Sequence, residues 1–68
     1  MYIARDENNM LFFHTNKPYL HINIHGFKSW YSDEFFAISN DLFPNIRECM
    51  FAEIHFNIGD IEIGVINE

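Results

Sequence analysis

The sequence has 68 residues, which is enough for one small domain over residues 1–68 that buries roughly 60% of its unfolded surface. Ten acidic residues face four basic ones, and the net charge of −6 opposes direct binding to the phosphates of nucleic acids. The single cysteine excludes an intramolecular disulfide, and no apolar run approaches the ~18 residues of a membrane-spanning helix. Charged residues begin at Arg5 and no apolar stretch of the length found in secretory leaders follows, so we expect no secretory leader here. We therefore expect a single cytoplasmic domain without membrane contact.

The first predicted element is a β-hairpin over residues 1–15 with Asn8-Asn9 as its turn. Asparagine tolerates the positive φ angles that a two-residue type I′ turn requires. This turn would place Ala4 opposite Phe13, and both faces of the hairpin would carry a phenylalanine. A strand that is apolar on both faces is typical of the interior of a sheet or of a covered sheet.

The middle of the chain predicts further short strands. Apolar and polar residues alternate over 19–25, whereas 27–33 fits either a loop or a short strand. Residues 34–39 predict a further strand, with Phe35 and Ala37 on one face and Phe36 and Ile38 on the other. Side chains that can cap a helix precede Pro44, and proline is tolerated only in the first turn of a helix. We therefore expect one short helical turn near 40–46.

The last third of the chain predicts a second hairpin with Gly59-Asp60 at a type II′ turn. In that register Ile58 lies opposite Ile61. Period-two alternation then places four apolar side chains on one buried face, with Ile54 opposite Val65 and Phe56 opposite Ile63.

These elements together predict a mostly β fold. We expect a small antiparallel sheet, curled or sandwich-like, of about five to six short strands with the helical turn near 40–46. The chain carries eight Phe, three Tyr and one Trp, which is more aromatic surface than so short a chain encloses. The surplus favours a homodimer or a surface for a partner protein.

Four aromatic residues form the best candidate for that surface: Trp30, Tyr31, Phe35 and Phe36. Aromatic side chains concentrate binding energy when they lie at the centre of an interface. The alternative is that the same rings form a cluster in the core.

No catalytic, cofactor or metal site is predicted. His21 and His25 would lie about 13 Å apart in a strand that rises ~3.3 Å per residue, which is too far for one metal ion. A metal site would therefore need His14, His55 or Cys49 from another strand, and exposed histidines are the simpler interpretation. The carboxylate pairs are typical of turns and sheet faces: Asp33 with Glu34, and Asp60 with Glu62.

Two blocks of residues resemble a known group of proteins. The first block combines Tyr2-Ile3-Ala4-Arg5-Asp6, a turn, Leu11 with an aromatic residue, and Lys17-Pro18. The second block combines Trp30, Glu34-Phe35-Phe36 with Ile38, and Leu42-Phe43-Pro44. In this order, over about residues 1–46, they resemble short proteins of unknown function from phages, prophages and gut-bacterial mobile elements. The resemblance implies a mobile-element origin and a cytoplasmic location. It implies no activity and assigns no functional residue.

The functional hypothesis is a small non-enzymatic protein-interaction module, without a cofactor, that binds a partner protein or a second copy of itself. The alternative is an acidic inhibitor that imitates nucleic acid and blocks a host nuclease or DNA-binding protein. In that alternative the ten carboxylates should cluster on one face.

Overall fold

The computed structural model describes residues 1–57 and 60–67, with side chains described for residues 1–55. Within those ranges the chain forms seven strands and no helix: β1 (Tyr2–Arg5), β2 (Leu11–His14), β3 (Tyr19–Ile22), β4 (Lys28–Tyr31), β5 (Phe35–Ile38), β6 (Met50–Asn57) and β7 (Asp60–Asn67). Five of them form one sheet in the order β5-β2-β1-β6-β7, and β3 pairs with β4 in a separate sheet. Every pairing is antiparallel, so the predicted mostly β, antiparallel class is confirmed. No helix able to cross a membrane occurs in the described part of the chain.

The first hairpin has a longer loop than predicted. The Asp6 N–H donates to the Met10 carbonyl at 2.9 Å, and the Asn9 N–H donates to the Asp6 carbonyl at 3.0 Å. Asn9 has a φ of 72° but Asn8 has no positive φ, so the two-residue type I′ turn is wrong. A three-residue loop that ends in one left-handed residue replaces it. The pairing moves by one residue, so Ala4 lies opposite Phe12.

Residues 39–49 contain consecutive turns instead of the helical turn expected near 40–46. Three hydrogen bonds close these turns: Leu42 N–H to Ser39 O, Ile46 N–H to Phe43 O and Met50 N–H to Arg47 O. Phe43 and Cys49 have φ values of 51° and 64°. A right-handed helix cannot include such residues, which explains why the capping side chains do not start a helix here.

The final hairpin has a different register from the predicted one. Ile54 pairs with Ile63 rather than with Val65, and Phe56 pairs with Ile61. The difference is two residues, an even shift that preserves the alternation of the strand pairing. The prediction that Ile54 is buried is confirmed.

Asp60 belongs to β7, where it pairs with Asn57, so its assignment to the turn is wrong. Gly59 and Ile58 lie outside the described residues. Three further residues are predicted to be buried together with Ile54, but their side chains are outside the described ones: Phe56, Ile63 and Val65.

The five-stranded sheet has an apolar core on each face. On the first face Ile3, Leu11 and Ala52 pack with Ile46 of segment 39–49. We call this the loop face. On the opposite face, the hairpin face, β3 and β4 provide the cover, and Trp30 packs with Ala4 and Phe51. The small second sheet therefore covers one face of the large one, in line with the predicted sandwich-like arrangement.

The loop face depends on the side chain of Arg5, which is only 3% exposed. Its guanidinium donates to five backbone carbonyls, those of Asn9, Asn40, Leu42, Phe43 and Ile46. In the described part of the chain no carboxylate forms a salt bridge with it. Arginine has five N–H donors in a rigid planar group. This one side chain can therefore bind four backbone carbonyls of segment 39–49, which has no helix or strand to pair them.

Asp6 attaches the cover of the hairpin face. Its carboxylate accepts the Trp30 N–H at 2.9 Å, and the next residue, Glu7, donates its N–H to the Lys28 carbonyl at 3.1 Å. Burial raises the pKa of the Asp6 carboxyl, and the bond from Trp30 opposes that shift. Arg5 and Asp6 are adjacent in sequence and bind the two covers of the sheet on its opposite faces.

Replacing Arg5 tests its role as a link. Arg5→Ala removes the donors of several partly buried carbonyls, and we expect the free energy of unfolding to fall by about 3 kcal/mol or more. Arg47→Ala, an exposed arginine of the same segment, is the matched control and should change it by less than about 0.5 kcal/mol. Urea unfolding followed by the fluorescence of Trp30 measures both. Equal effects of the two substitutions would contradict the link.

Candidate functional site

β5 is an edge strand with its outer backbone groups open. It pairs with β2 on one side and has no neighbour on the other side within the described residues. The Thr15 N–H donates to the Glu34 carbonyl at 3.3 Å, which identifies the residues of β5 that face β2. In an antiparallel pair the backbone groups of successive residues point alternately toward and away from the partner strand. The N–H and C=O groups of Phe36 and Ile38 therefore point toward β2, whereas those of Phe35 and Ala37 point outward. The edge therefore offers two donors and two acceptors to another strand.

The side chains of β5 are apolar and exposed. Phe36 is 57% exposed and stacks on Phe13 at a centroid distance of 5.0 Å on the loop face. Phe35 projects to the hairpin face, where its ring lies 5.8 Å from Phe12 and 5.4 Å from His14. Edge strands usually carry a lysine, a proline or a bulge that prevents pairing with another chain. The sequence of β5, Phe-Phe-Ala-Ile, has no such protection.

An aromatic row continues from β5 across the cover of the hairpin face. It consists of Tyr19, Tyr31 and Phe35, with centroid distances of 5.9 Å between the tyrosines and 5.4 Å from Tyr31 to Phe35. Tyr19 and Tyr31 pair directly across β3 and β4 and are 59% and 49% exposed. With His21 they line a shallow groove of about 140 Å³. The row is the largest group of contacting exposed rings in the described residues.

The structure separates the four residues of the predicted patch. Trp30 is 3% exposed and packs edge-on against Phe51 at 4.7 Å, so it belongs to the core. Tyr31 and Phe35 are exposed and in contact, while Phe36 is exposed on the other face of β5. The predicted patch does not include Tyr19, because the sequence left open whether residues 27–33 form a strand. Once that strand is placed, its pairing with β3 brings Tyr19 to Tyr31.

His14 is fully buried beside the edge strand. Its Nδ1 lies 2.6 Å from the Ser32 hydroxyl, which itself donates to the Glu34 carbonyl at 3.2 Å. The imidazole therefore donates from Nδ1, and Nε2 is an acceptor without a partner in the described residues. Burial lowers the pKa of His14 to about 4. This serine–histidine pair resembles part of a catalytic site, but both side chains are inaccessible to a substrate.

The other histidines are exposed and do not form a metal site with one another. His21 and His25 lie on β3 and in the loop after it, and His55 on β6 lies 2.9 Å from the Glu53 carboxylate. Cys49 is partly buried. Within the described residues no group of three or more His, Cys, Asp or Glu residues is arranged to hold a metal ion.

A cavity of about 330 Å³ adjoins Arg5 on the loop face, and Asp41, Arg47 and Glu48 contribute to its lining. Arg5 directs its N–H groups to backbone carbonyls, so it has no donor left for a ligand. The remaining charged groups of the lining are exposed and of both signs. The cavity therefore has no distinct chemistry of its own.

Comparison with protein families, with curated proteins and with solved structures finds no match for this chain. The resemblance to mobile-element proteins thus stays a prediction. The geometry of the chain carries the functional argument, and its most distinctive exposed feature is the β5 edge with the aromatic row.

His14 predicts a specific pH dependence of stability. The pKa of His14 is about 4 in the folded protein, against an ordinary histidine value of 6.5 that applies to the unfolded chain. Between these two pH values the unfolded chain therefore binds a proton that the folded chain does not. Stability should therefore fall as the pH is lowered from about 6.5 to about 4, by an amount on the order of 3 kcal/mol.

Urea unfolding across this pH range measures the slope. His14→Gln removes the titrating group and should flatten it, whereas the exposed His21→Gln should leave it unchanged. If His14→Gln keeps the wild-type slope, the buried imidazole is not the source.

Proposed function

We propose that this protein is a non-enzymatic protein-interaction module that binds an extended segment of a partner protein along β5. The observation that carries the proposal is the open edge of β5, where the backbone groups of Phe35 and Ala37 have no strand partner among residues 1–57 and 60–67. An extended segment that adds to such an edge gains main-chain hydrogen bonds, while side chains on its two faces provide selectivity. A cytoplasmic location and a mobile-element origin belong to the same proposal and rest on the sequence alone.

The side chains beside the edge support binding as well. Phe36 lies on one face of β5, and Phe35 on the other face continues into Tyr31 and Tyr19. A segment added to β5 would have aromatic surface beside it on both faces. Large aromatic side chains are the residues that contribute most to the affinity of protein interfaces.

An enzyme is the weaker hypothesis for the described residues. The one arrangement with catalytic character, His14 with Ser32, is buried and connects β2 to the residues before β5. Its polar atoms have no route to a substrate in this conformation. We assign the pair a structural role beneath the edge strand.

The alternative of a nucleic-acid mimic has less support. Among residues 1–55, the exposed carboxylates lie in three segments: Glu7 in the first hairpin loop, Asp33 and Glu34 before β5, and Asp41 and Glu48 in segment 39–49. A mimic of a phosphate backbone needs a row of negative charges on one surface. These carboxylates come from three segments and do not form one row along a single strand.

Selection of peptides from a random display library tests the proposal. We expect the immobilised wild-type protein to enrich peptides from the library. These peptides should bind the Ala37→Pro variant at least about tenfold more weakly than the wild type. Proline removes an outward N–H of the edge and leaves the ladder with β2 intact. Ala37→Thr retains the N–H and is the matched control, and circular dichroism confirms that both variants fold.

Peptides that bind wild type and Ala37→Pro equally would place the binding surface elsewhere. A library that yields no peptide above background would reject the proposal.

A further inference from the structure

We propose that the segment recognised by β5 is basic and runs antiparallel to β5, with its positive residues beside Asp33 and Glu34. This inference rests on the proposed function and specifies the partner of the same edge. Its basis is the charge at one end of the strand: Asp33 and Glu34 are both exposed and immediately precede Phe35. No basic residue occurs from Ser29 to Asp41, and the residues directly after β5, Ser39 and Asn40, are uncharged.

The aromatic row suits the same ligand. Tyr31 is only two residues before Asp33, and its ring contacts both Tyr19 and Phe35. The face of a tyrosine ring attracts a lysine or arginine side chain within about 6 Å. Two exposed carboxylates and the exposed Tyr31, two residues before Asp33 in the chain, thus offer two kinds of contact for a positive side chain.

The orientation follows from the backbone. Antiparallel pairing is slightly more stable per residue than parallel pairing, and all strand pairs of this protein are antiparallel. An antiparallel segment has its C-terminal end beside Asp33 and Glu34, so its positive residues follow its apolar residues.

The register follows from the outward groups. The partner residues opposite Ala37 and Phe35 exchange hydrogen bonds with β5, and the residue between them lies opposite Phe36. Ala37 is small and leaves room for a large apolar partner, and Phe36 favours another apolar ring. From N- to C-terminus the expected pattern is two apolar residues, one neutral residue, and two basic residues opposite Glu34 and Asp33.

A second copy of the chain is the competing occupant. Two β5 strands pair antiparallel with Phe36 opposite Phe36, so the edge is compatible with itself in shape. Two copies, however, each carry a net charge of −6, which opposes their association, and neither edge supplies a positive residue to Asp33. The charge of the chain therefore favours a basic partner.

Synthetic peptides test the inference with the full-length protein. The first peptide places Val-Phe-Thr before Lys-Lys, the second places Lys-Lys before Val-Phe-Thr, and the third and fourth replace Lys-Lys of the first by Thr-Thr and Glu-Glu. Both ends are blocked and a fluorophore reports binding by anisotropy. We expect the first peptide to bind at least about tenfold more tightly than the others. Its affinity should fall as salt rises from about 50 to about 300 mM.

Charge variants locate the contact. Asp33→Asn combined with Glu34→Gln should weaken the first peptide at least about tenfold and leave the Thr-Thr peptide unchanged. Asp41→Asn combined with Glu48→Gln makes the same change in net charge at exposed carboxylates elsewhere and should have little effect. Equal losses in the two double variants would overturn the local site in favour of net charge alone.

The outcomes separate this inference from the proposed function. If all peptides bind with similar affinity and lose it on Ala37→Pro, strand addition holds and the preference for basic segments is wrong. If the second peptide binds as tightly as the first, the orientation is wrong. If no peptide binds and sedimentation shows a dimer at micromolar concentration that strengthens with salt, a second copy occupies the edge and the inference is rejected.

Discussion

The buried guanidinium of Arg5 is the constraint on which the rest of the structure depends. Segment 39–49 has no regular secondary structure, yet it covers an apolar face of the sheet and must satisfy its carbonyls away from water. Arg5 supplies those donors from a strand in the centre of the sheet. A lysine has three donors on a flexible stem and could not replace this planar arrangement. The segment follows β5 directly, and Arg5 binds the carbonyl of Asn40, two residues after the end of that strand.

The one-residue change in the first hairpin makes this arrangement possible. With the three-residue loop Arg5 lies opposite Leu11, and both side chains project to the loop face. Asp6 then accepts the Trp30 N–H across the opposite side of the sheet. Adjacent residues of opposite charge therefore secure different covers, which is a direct consequence of the alternation of side chains along a strand.

The sequence predicts the strands well because alternation of apolar residues is a local signal. The loops are less predictable, since asparagine with positive φ suits both a two-residue and a three-residue turn, and capping side chains also stabilise turns. The role of Arg5 has no local signal at all, because a charged residue in a strand is usually at the surface. Its carbonyl partners in segment 39–49 lie 35 to 41 residues away.

The candidate site was predictable only in part for a similar reason. Trp30 and Tyr31 are both large aromatic residues, and their hydrophobicity does not tell which of them is buried. The hydrogen bond from the Trp30 backbone to Asp6 joins residues 24 positions apart and helps to fix that choice. Tyr31, the next residue, then projects outward, and its contact with Phe35 depends on two strands that the sequence could not place against each other.

The open edge of β5 also has a consequence for the solubility of the protein. Amyloid-like stacking needs an uncharged β-prone segment of about six or seven residues, and β5 has four residues directly after two carboxylates. In an in-register stack, Asp33 and Glu34 would repeat with like charge every ~4.7 Å, which opposes growth of a fibril. We therefore expect the same two carboxylates to oppose fibril growth from this edge, although β5 itself carries no charged residue.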